Sequence, residues 1–365
     1  MTPVARLARP AVHVDLAGVL LLALALVWGG WTAPRVMLAC WLAAWWCALG
    51  LVMGACMTMW IHALTGGRWG EVLRPAASLI VRRRIVPLPL FIPLAVGLRL
   101  LYPWAAPGGQ AFDTLDASTF AQAWFSLAAV SCRAALYAIA WFRLAASALQ
   151  PSVPRKQAAR NLIVYALLGS LAAVDLLMSL VPDWRSTGFP LLVLASQALG
   201  GASALIAWTA VRRPDRLRAE VAPRVPLARD LGNLLWMFVM LWGYLGFMQF
   251  LVIWAENLPH EIAWYVPRLQ TGWHAVGVAL VAMQLALPLG AMLFRRIKDC
   301  PARLAAVALL ALGAHALDTV WMIVPSVDAH ALAAWWLAPL CMAGTGLVMF
   351  SPMLTCATEA AHARG

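Results

Sequence analysis

VMLACWLAAWWCALGLVMGACMTMWIHA, residues 36–63, decides the fold: its twenty-eight positions hold no Asp, Glu, Lys or Arg. A helix needs about 20 predominantly apolar residues to cross a bilayer, so this stretch can cross with turns to spare. Arg35 bounds it on one side and Thr65-Gly66-Gly67-Arg68 on the other. Outward from it the pattern recurs. Breaks at charges, Pro and Gly divide the chain into ten apolar segments: 14–33, 36–63, 85–102, 118–148, 160–182, 188–211, 231–256, 271–295, 302–324 and 331–355. Pro87, Pro89 and Pro93 crowd the first half of the third.

The whole composition agrees. Of 365 residues, 63% are hydrophobic and 12% charged, and the mean hydropathy is +0.80. A soluble domain carries about 25% charged and about 45–50% apolar residues. An ordinary soluble enzyme, a disordered chain and a nucleic-acid binder are therefore excluded. The sequence predicts an all-α polytopic membrane protein with about ten transmembrane helices, a single integral-membrane domain over residues 1–365.

The net charge of +12 is explained by where the charges lie. Twenty-one of the 27 basic residues fall in the two termini and alternate loops, with clusters at 82–84, 212–229 and 295–303. Only Arg35, Arg99, Arg185 and Arg268 fall on the opposite side. Positive charge accumulates on the cytoplasmic side of membrane proteins, so both termini are expected there, and the excess charge attracts anionic lipid rather than nucleic acid. Arg6 and Arg9 precede an apolar run that continues to about Ala33 without a small-residue cleavage site, which reads as a retained first helix. Residues 68–84 read as an interfacial helix, basic on one side and apolar on the other. The loop 103–117 reads as acidic and flexible. Trp31, Trp69, Trp104, Trp184 and Trp264 fit an interfacial aromatic belt.

Cys40, Cys47, Cys56, Cys132, Cys300, Cys341 and Cys356 form no CxxC or other metal spacing and read as small fillers. His274 and His315 would lie at different depths, so a haem is not expected. The chain has no P-loop, HExxH or nucleophile elbow.

Ionisable residues inside a bilayer are costly and are functional candidates by default. Arg133 stands at the middle of the fourth segment, with Gln122, Ser126 and Tyr137 placed on the same face of a continuous helix. It either holds a quinone headgroup, an anion or a proton-relay carboxylate, or forms a buried bridge that locks two helices. Asp175, in the fifth segment, is a partner for it and also a proton acceptor. His315 and Asp318 share a face of the ninth segment, and a carboxylate near an imidazole can pass protons. Glu256 ends the seventh segment on one face with Gln249, and His274 begins the eighth. Asp175, Glu256, His274, His315 and Asp318 thus fall in the half of the membrane away from the basic loops. His62, alone at the end of the second segment, reads as an interfacial histidine.

Three stretches carry a family resemblance: Gly50–Ile80 (GLVMGACMTMWIHALTGGRWGEVLRPAASLI), Ala173–Phe189 (AVDLLMSLVPDWRSTGF) and Asp230–Trp273 (DLGNLLWMFVMLWGYLGFMQFLVIWAENLPHEIAWYVPRLQTGW). Together they resemble the second quinone-type membrane subunit of bacterial alternative complex III, a quinol:electron-acceptor (cytochrome c) oxidoreductase, itself similar to the NrfD/polysulfide-reductase membrane-anchor family. The resemblance implies two four-helix bundles plus two further helices in a bacterial inner membrane. It implies a paralogous ten-helix membrane subunit, an iron–sulfur subunit and c-type haem subunits as partners. This chain would hold no covalent or metal-bound cofactor, with a quinone or quinol as the small molecule. It points to Asp175 as the proton or quinol position, with Arg133, His315 and Asp318 around it; Glu256, His274 and Tyr137 are further quinone or proton-path candidates from their own placement. Two readings of other classes stand beside it: a secondary transporter with a midplane Arg site, and a purely structural membrane anchor.

Overall fold

The computed structural model describes residues 3–106, 119–182, 184–222 and 225–362, so most of the expected 103–117 loop lies outside the described residues. The chain is a multi-pass, all-α membrane protein. Among the described residues, nine helices are long and apolar enough to cross a membrane. The long elements are α1 (Pro3–Leu24, continued by a π turn to Gly29), α2 (Pro34–Thr65), α3 (Trp69–Arg82), α4 (Leu127–Ala148), α5 (Arg155–Leu176), α6 (Phe189–Arg212), α7 (Leu227–Glu256), α8 (Trp273–Leu293), α9 (Pro301–Val327) and α10 (Leu337–His362). A two-stranded antiparallel pair, Glu220–Ala222 with Val225–Pro226, is the only sheet among the described residues.

Local chemistry sets the ends of these helices. Prolines occupy the first turn of α2, α6 and α9, where a missing N–H costs nothing. Gly66, at φ +75°, ends α2, and Asn257 at φ 48° ends α7. Asn257 supplies the left-handed residue that helix C-termini favour, and Gly66 a positive φ that glycine adopts without a steric penalty. The His62 ring closes the turn after α2 by bonding the Gly67 carbonyl at 2.8 Å and packing edge-on to Trp69.

The third segment departs from a continuous span. It forms three short helices, Pro87–Leu90, Ile92–Val96 and Leu98–Leu101, because each proline removes a helical N–H and blocks the preceding turn. The segment still runs antiparallel to the start of α2. Trp45 and Trp41 of α2 donate their indole N–H groups to the carbonyls of Pro87 and Leu90, each at 2.7 Å. Further on, Gly97 lies against Leu38. Indole donors thus tie the broken segment's backbone to α2.

The second to fifth segments form one group of four and the sixth to ninth another, meeting where α2 crosses α6. There the backbones touch: a Cβ on Gly54 would lie 2.0 Å from the Gln197 carbonyl oxygen, and one on Gly201 would lie 2.3 Å from the Gly54 backbone. Glycine allows the close approach on which lipid-embedded helix packing depends. The first and last helices pair with each other. Ser351 of α10 and Arg83 both bond the Asp15 carboxylate of α1, at 2.6 and 3.1 Å. The apolar face of α3, with Leu73, Ala76, Ala77 and Ile80, is buried against α2, α6 and α10.

The aromatic belt needs correction. Trp31 is exposed, but Trp104, Trp184 and Trp264 are buried. Trp184 stacks on Trp264 at 5.2 Å, and Trp264 meets Trp321 edge-on at 5.4 Å, so these rings cap the bundle from within. Among the cysteines, Cys40, Cys47, Cys56 and Cys341 are buried, Cys300 is half-buried and Cys132 is exposed.

Candidate functional site

The fourth segment breaks at Phe125 and Ser126. Thr119–Trp124 is a separate short helix, and Ser126 caps α4 by accepting the Ala129 N–H at 3.3 Å. Serine at this position satisfies an orphan helix donor. The break removes Gln122 from the face of Arg133 and leaves it exposed. Arg133 and Tyr137, one turn apart on α4, keep a common face.

That face meets Asp175. Arg133 donates from Nε to Asp175 Oδ2 at 2.7 Å and from Nη2 to Oδ1 at 3.1 Å. The Tyr137 hydroxyl donates to Oδ2 at 2.7 Å and Trp124 Nε1 to Oδ1 at 3.0 Å. Arg133 Nη2 also reaches the Trp124 carbonyl at 2.9 Å, and the guanidinium lies 4.0 Å from the Trp124 ring centre. Asp175 is 1% exposed, and both its oxygens are engaged twice. Four hydrogen bonds, two of them from the Arg133 cation, make this a neutral, saturated network that fixes α4 to α5 and pins the Trp124 indole.

The pinned indole walls a cavity of about 390 Å³. Trp104, Phe120, Phe125 and Trp184 complete its aromatic lining, and Ser179 and Arg185 are its polar members. Ser179 accepts from Trp104 Nε1 at 3.2 Å and donates to the Asp175 carbonyl at 2.6 Å. One side of the cavity therefore leans on the residue that anchors the network.

His315 and Asp318 form a second network rather than surrounding Asp175. Both are buried on α9, yet they do not bond each other: Ser196 of α6 stands between them. Its hydroxyl lies 2.9 Å from His315 Nδ1 and donates to Asp318 Oδ2 at 2.7 Å. Trp242 Nε1 and Gln284 Nε2 reach the same oxygen at 3.2 and 3.4 Å. Gln284 belongs to the π-helical turn Val281–Ala286 just before Pro288, and such widened turns recur at functional sites. Among the described residues no cation pairs with Asp318, while His315 Nε2 and Gln284 Oε1 have no partner. A hydroxyl between imidazole and carboxylate can pass a proton by reversing its two hydrogen bonds.

Neither models of known protein families nor characterised proteins match this chain.

Glu256 and His274 stay apart from both networks, exposed at their helix ends. Gln249, two turns before Glu256, is buried. Glu256 shares a hydrogen bond with Glu261, whose carboxyl is thereby raised above its ordinary value. Ser196, Trp242, Gln284 and Trp124 were not singled out from the sequence as site residues. The one available signal was Ser196-Gln197, a polar pair inside an otherwise apolar segment. Among the described residues no group of three His, Cys, Asp or Glu side chains could hold a metal ion.

Proposed function

We propose that this chain is a membrane subunit of a quinol:electron-acceptor oxidoreductase of alternative complex III type, contributing a quinone-type pocket and a proton half-channel. In this reading it lies in a bacterial inner membrane with both termini cytoplasmic. Its partners are a paralogous ten-helix subunit, an iron–sulfur subunit and c-type haem subunits.

The observation that carries the reading is the aromatic cavity beside the Asp175 network. Flat walls from Trp124, Trp104 and Trp184 suit a planar ring, and Arg185 supplies a donor for a ring oxygen. Ligand pockets are characteristically apolar with a few fixed polar groups. When bound, a quinol supplies two electrons, taken by the partner subunits' redox centres, and two protons. Asp175 positions the wall: through Arg133, Tyr137 and Trp124 it holds the indole against the ring. The chain from Asp318 through Ser196 to His315 serves the proton half-channel. The anion-transport reading is weaker, because Asp175 already neutralises Arg133.

The purified chain in nanodiscs tests the pocket. Saturable quenching of tryptophan fluorescence by a short-chain ubiquinone or menaquinone is expected, weakened at least tenfold by Trp124→Ala. No saturable quenching by either quinone overturns the pocket. Co-purification from native membranes with iron–sulfur and c-type haem proteins is the second expectation; a lone, colourless chain overturns the complex.

A further inference from the structure

The three arginines that close α3 meet different fates. Arg82 is exposed. Arg83 is neutralised by Asp15 at 3.1 Å and bonds Ser351 at 2.5 Å. Arg84 has no carboxylate within ion-pair distance among the described residues. Its Nε is shielded from solvent without a hydrogen-bond partner, and its guanidinium carbon lies 4.8 Å from the Phe142 ring centre. Phe142 stands six residues before the end of α4 at Ala148, about 9 Å by helix rise. The unpaired cation therefore sits near the hydrocarbon edge on the basic side of the bundle.

Arg84 also lines an apolar cavity of about 100 Å³ between α2, the broken third segment and α4. The slot exists because α4 turns Ala134, Ala138 and Ala145 toward it, while Met53 and Phe91 stand opposite. Trp141 belongs to the same lining, stacked on Tyr137 at 5.7 Å. Its buried indole N–H is without an acceptor. Two unsatisfied donors, one of them charged, thus border one apolar slot. A buried donor without a partner costs about 1–3 kcal/mol, and more when charged, so the site is incomplete as an isolated protein.

We propose that this slot binds an acidic phospholipid, with its phosphate on Arg84, an ester carbonyl on the Trp141 N–H and the start of an acyl chain in the slot. Net charge selects the occupant: the choline ammonium of a zwitterionic lipid competes with Arg84 for the phosphate and is repelled by it, a quinone brings no anion, and free phosphate leaves the slot empty. The site is independent of the quinone reading.

The test uses the full chain, delipidated and then titrated with phosphatidylglycerol, phosphatidylcholine or inorganic phosphate, with retained lipid counted by native mass spectrometry. At least a tenfold preference for phosphatidylglycerol over phosphatidylcholine is expected. Arg84→Gln should abolish the preference, Arg82→Gln should keep it, and Ala138→Leu should reduce retention by filling the slot. Equal retention of the two lipids, or a preference that survives Arg84→Gln, overturns the proposal. So does an inorganic phosphate that competes equally at equal concentration. Should Arg84→Gln fail to fold, a diazirine-tailed phosphatidylglycerol on the unmodified chain decides. Cross-links on α4 between Ala134 and Ala145 or on residues 87–91 support the site, and cross-links confined elsewhere overturn it.

Discussion

Arg268 donates its Nε proton to the carbonyl of Trp321 at 3.1 Å, the acceptor that Pro325, four residues on in α9, leaves without a helical partner. Its remaining donors reach the Met322 carbonyl and Ser326 Oγ, both at 2.7 Å, and the Trp264 carbonyl. The guanidinium carbon lies 3.5 Å from the Trp264 ring centre. Arg268 is fully buried, and among the described residues no carboxylate pairs with it. Backbone dipoles and ring faces hold the charge. Arg268→Lys, with a point charge and no planar fork, should lose about 2–4 kcal/mol, read as a lower melting temperature in detergent. Pro325→Ala returns an N–H to Trp321, so the double variant should fall short of the sum of the two losses. A Lys variant melting with the wild type would remove the clamp from the account.

Asp175 and Arg133 admit a double-mutant cycle. Either single change, Arg133→Met or Asp175→Leu, strands the other charge and should cost about 3–5 kcal/mol. Replacing both should recover most of the loss, because a buried ion pair exchanged for apolar side chains is often close to neutral. The two readings of the pair separate in the ligand assay. If the pair only locks α4 to α5, the double variant retains quinone quenching. If it positions Trp124 as a cavity wall, quenching weakens while the fold persists.

Much of this is legible in the sequence, for a physical reason. Crossing a bilayer demands length and apolarity, both of which are local properties of the chain, so nine of the ten segments stand as helices long enough to cross, among the described residues, and the third is broken by its prolines. The Arg133–Asp175 pairing was also within reach, since an unpaired charge in a bilayer has few alternatives. The His315–Asp318 relationship was legible only in part. Their spacing put them on one face, but the hydroxyl between them belongs to Ser196, 119 residues from His315. The break at Ser126 was hidden because a serine within an apolar run can equally sit mid-helix or cap a new one. Trp104, Trp184 and Trp264 misled because a tryptophan near a helix end suits an interface and a buried cap alike.

Asp299 and Arg229 give a pH signature outside the bilayer. Arg229 donates to both Asp299 oxygens, at 2.7 and 2.5 Å, and this hydrogen bonding holds the Asp299 carboxyl below its ordinary value. A depressed carboxyl contributes stability that is present above its unfolded pKa of about 3.9 and is lost as pH falls through the lower folded value. The pair is partly exposed, so solvent screening keeps its contribution small. Melting curves of wild type and Asp299→Asn should differ by a constant amount from pH 5 to 8 and approach each other as pH falls below about 4. A difference that persists unchanged at pH 3 would contradict the linkage.

Ser196 has one hydroxyl hydrogen and two neighbours that want it. While that hydrogen goes to Asp318 Oδ2, His315 must carry its own proton on Nδ1 to complete the 2.9 Å contact, leaving Nε2 bare and unpartnered. The reverse arrangement needs a protonated Asp318 donating to Ser196, which then donates to Nδ1, with the imidazole proton on Nε2. Passing a proton along the chain means switching between these two states. Nitrogen-15 solid-state NMR of the histidine ring distinguishes them. Wild type should show the Nδ1–H form at high pH and the Nε2–H form as the network takes up a proton, and Asp318→Asn should remove the change. Ser196→Ala should uncouple the imidazole from Asp318, while Ser196→Thr, which keeps the hydroxyl, should preserve the switch. A His315 ring that stays in one form across the titration would leave the three residues as helix packing alone.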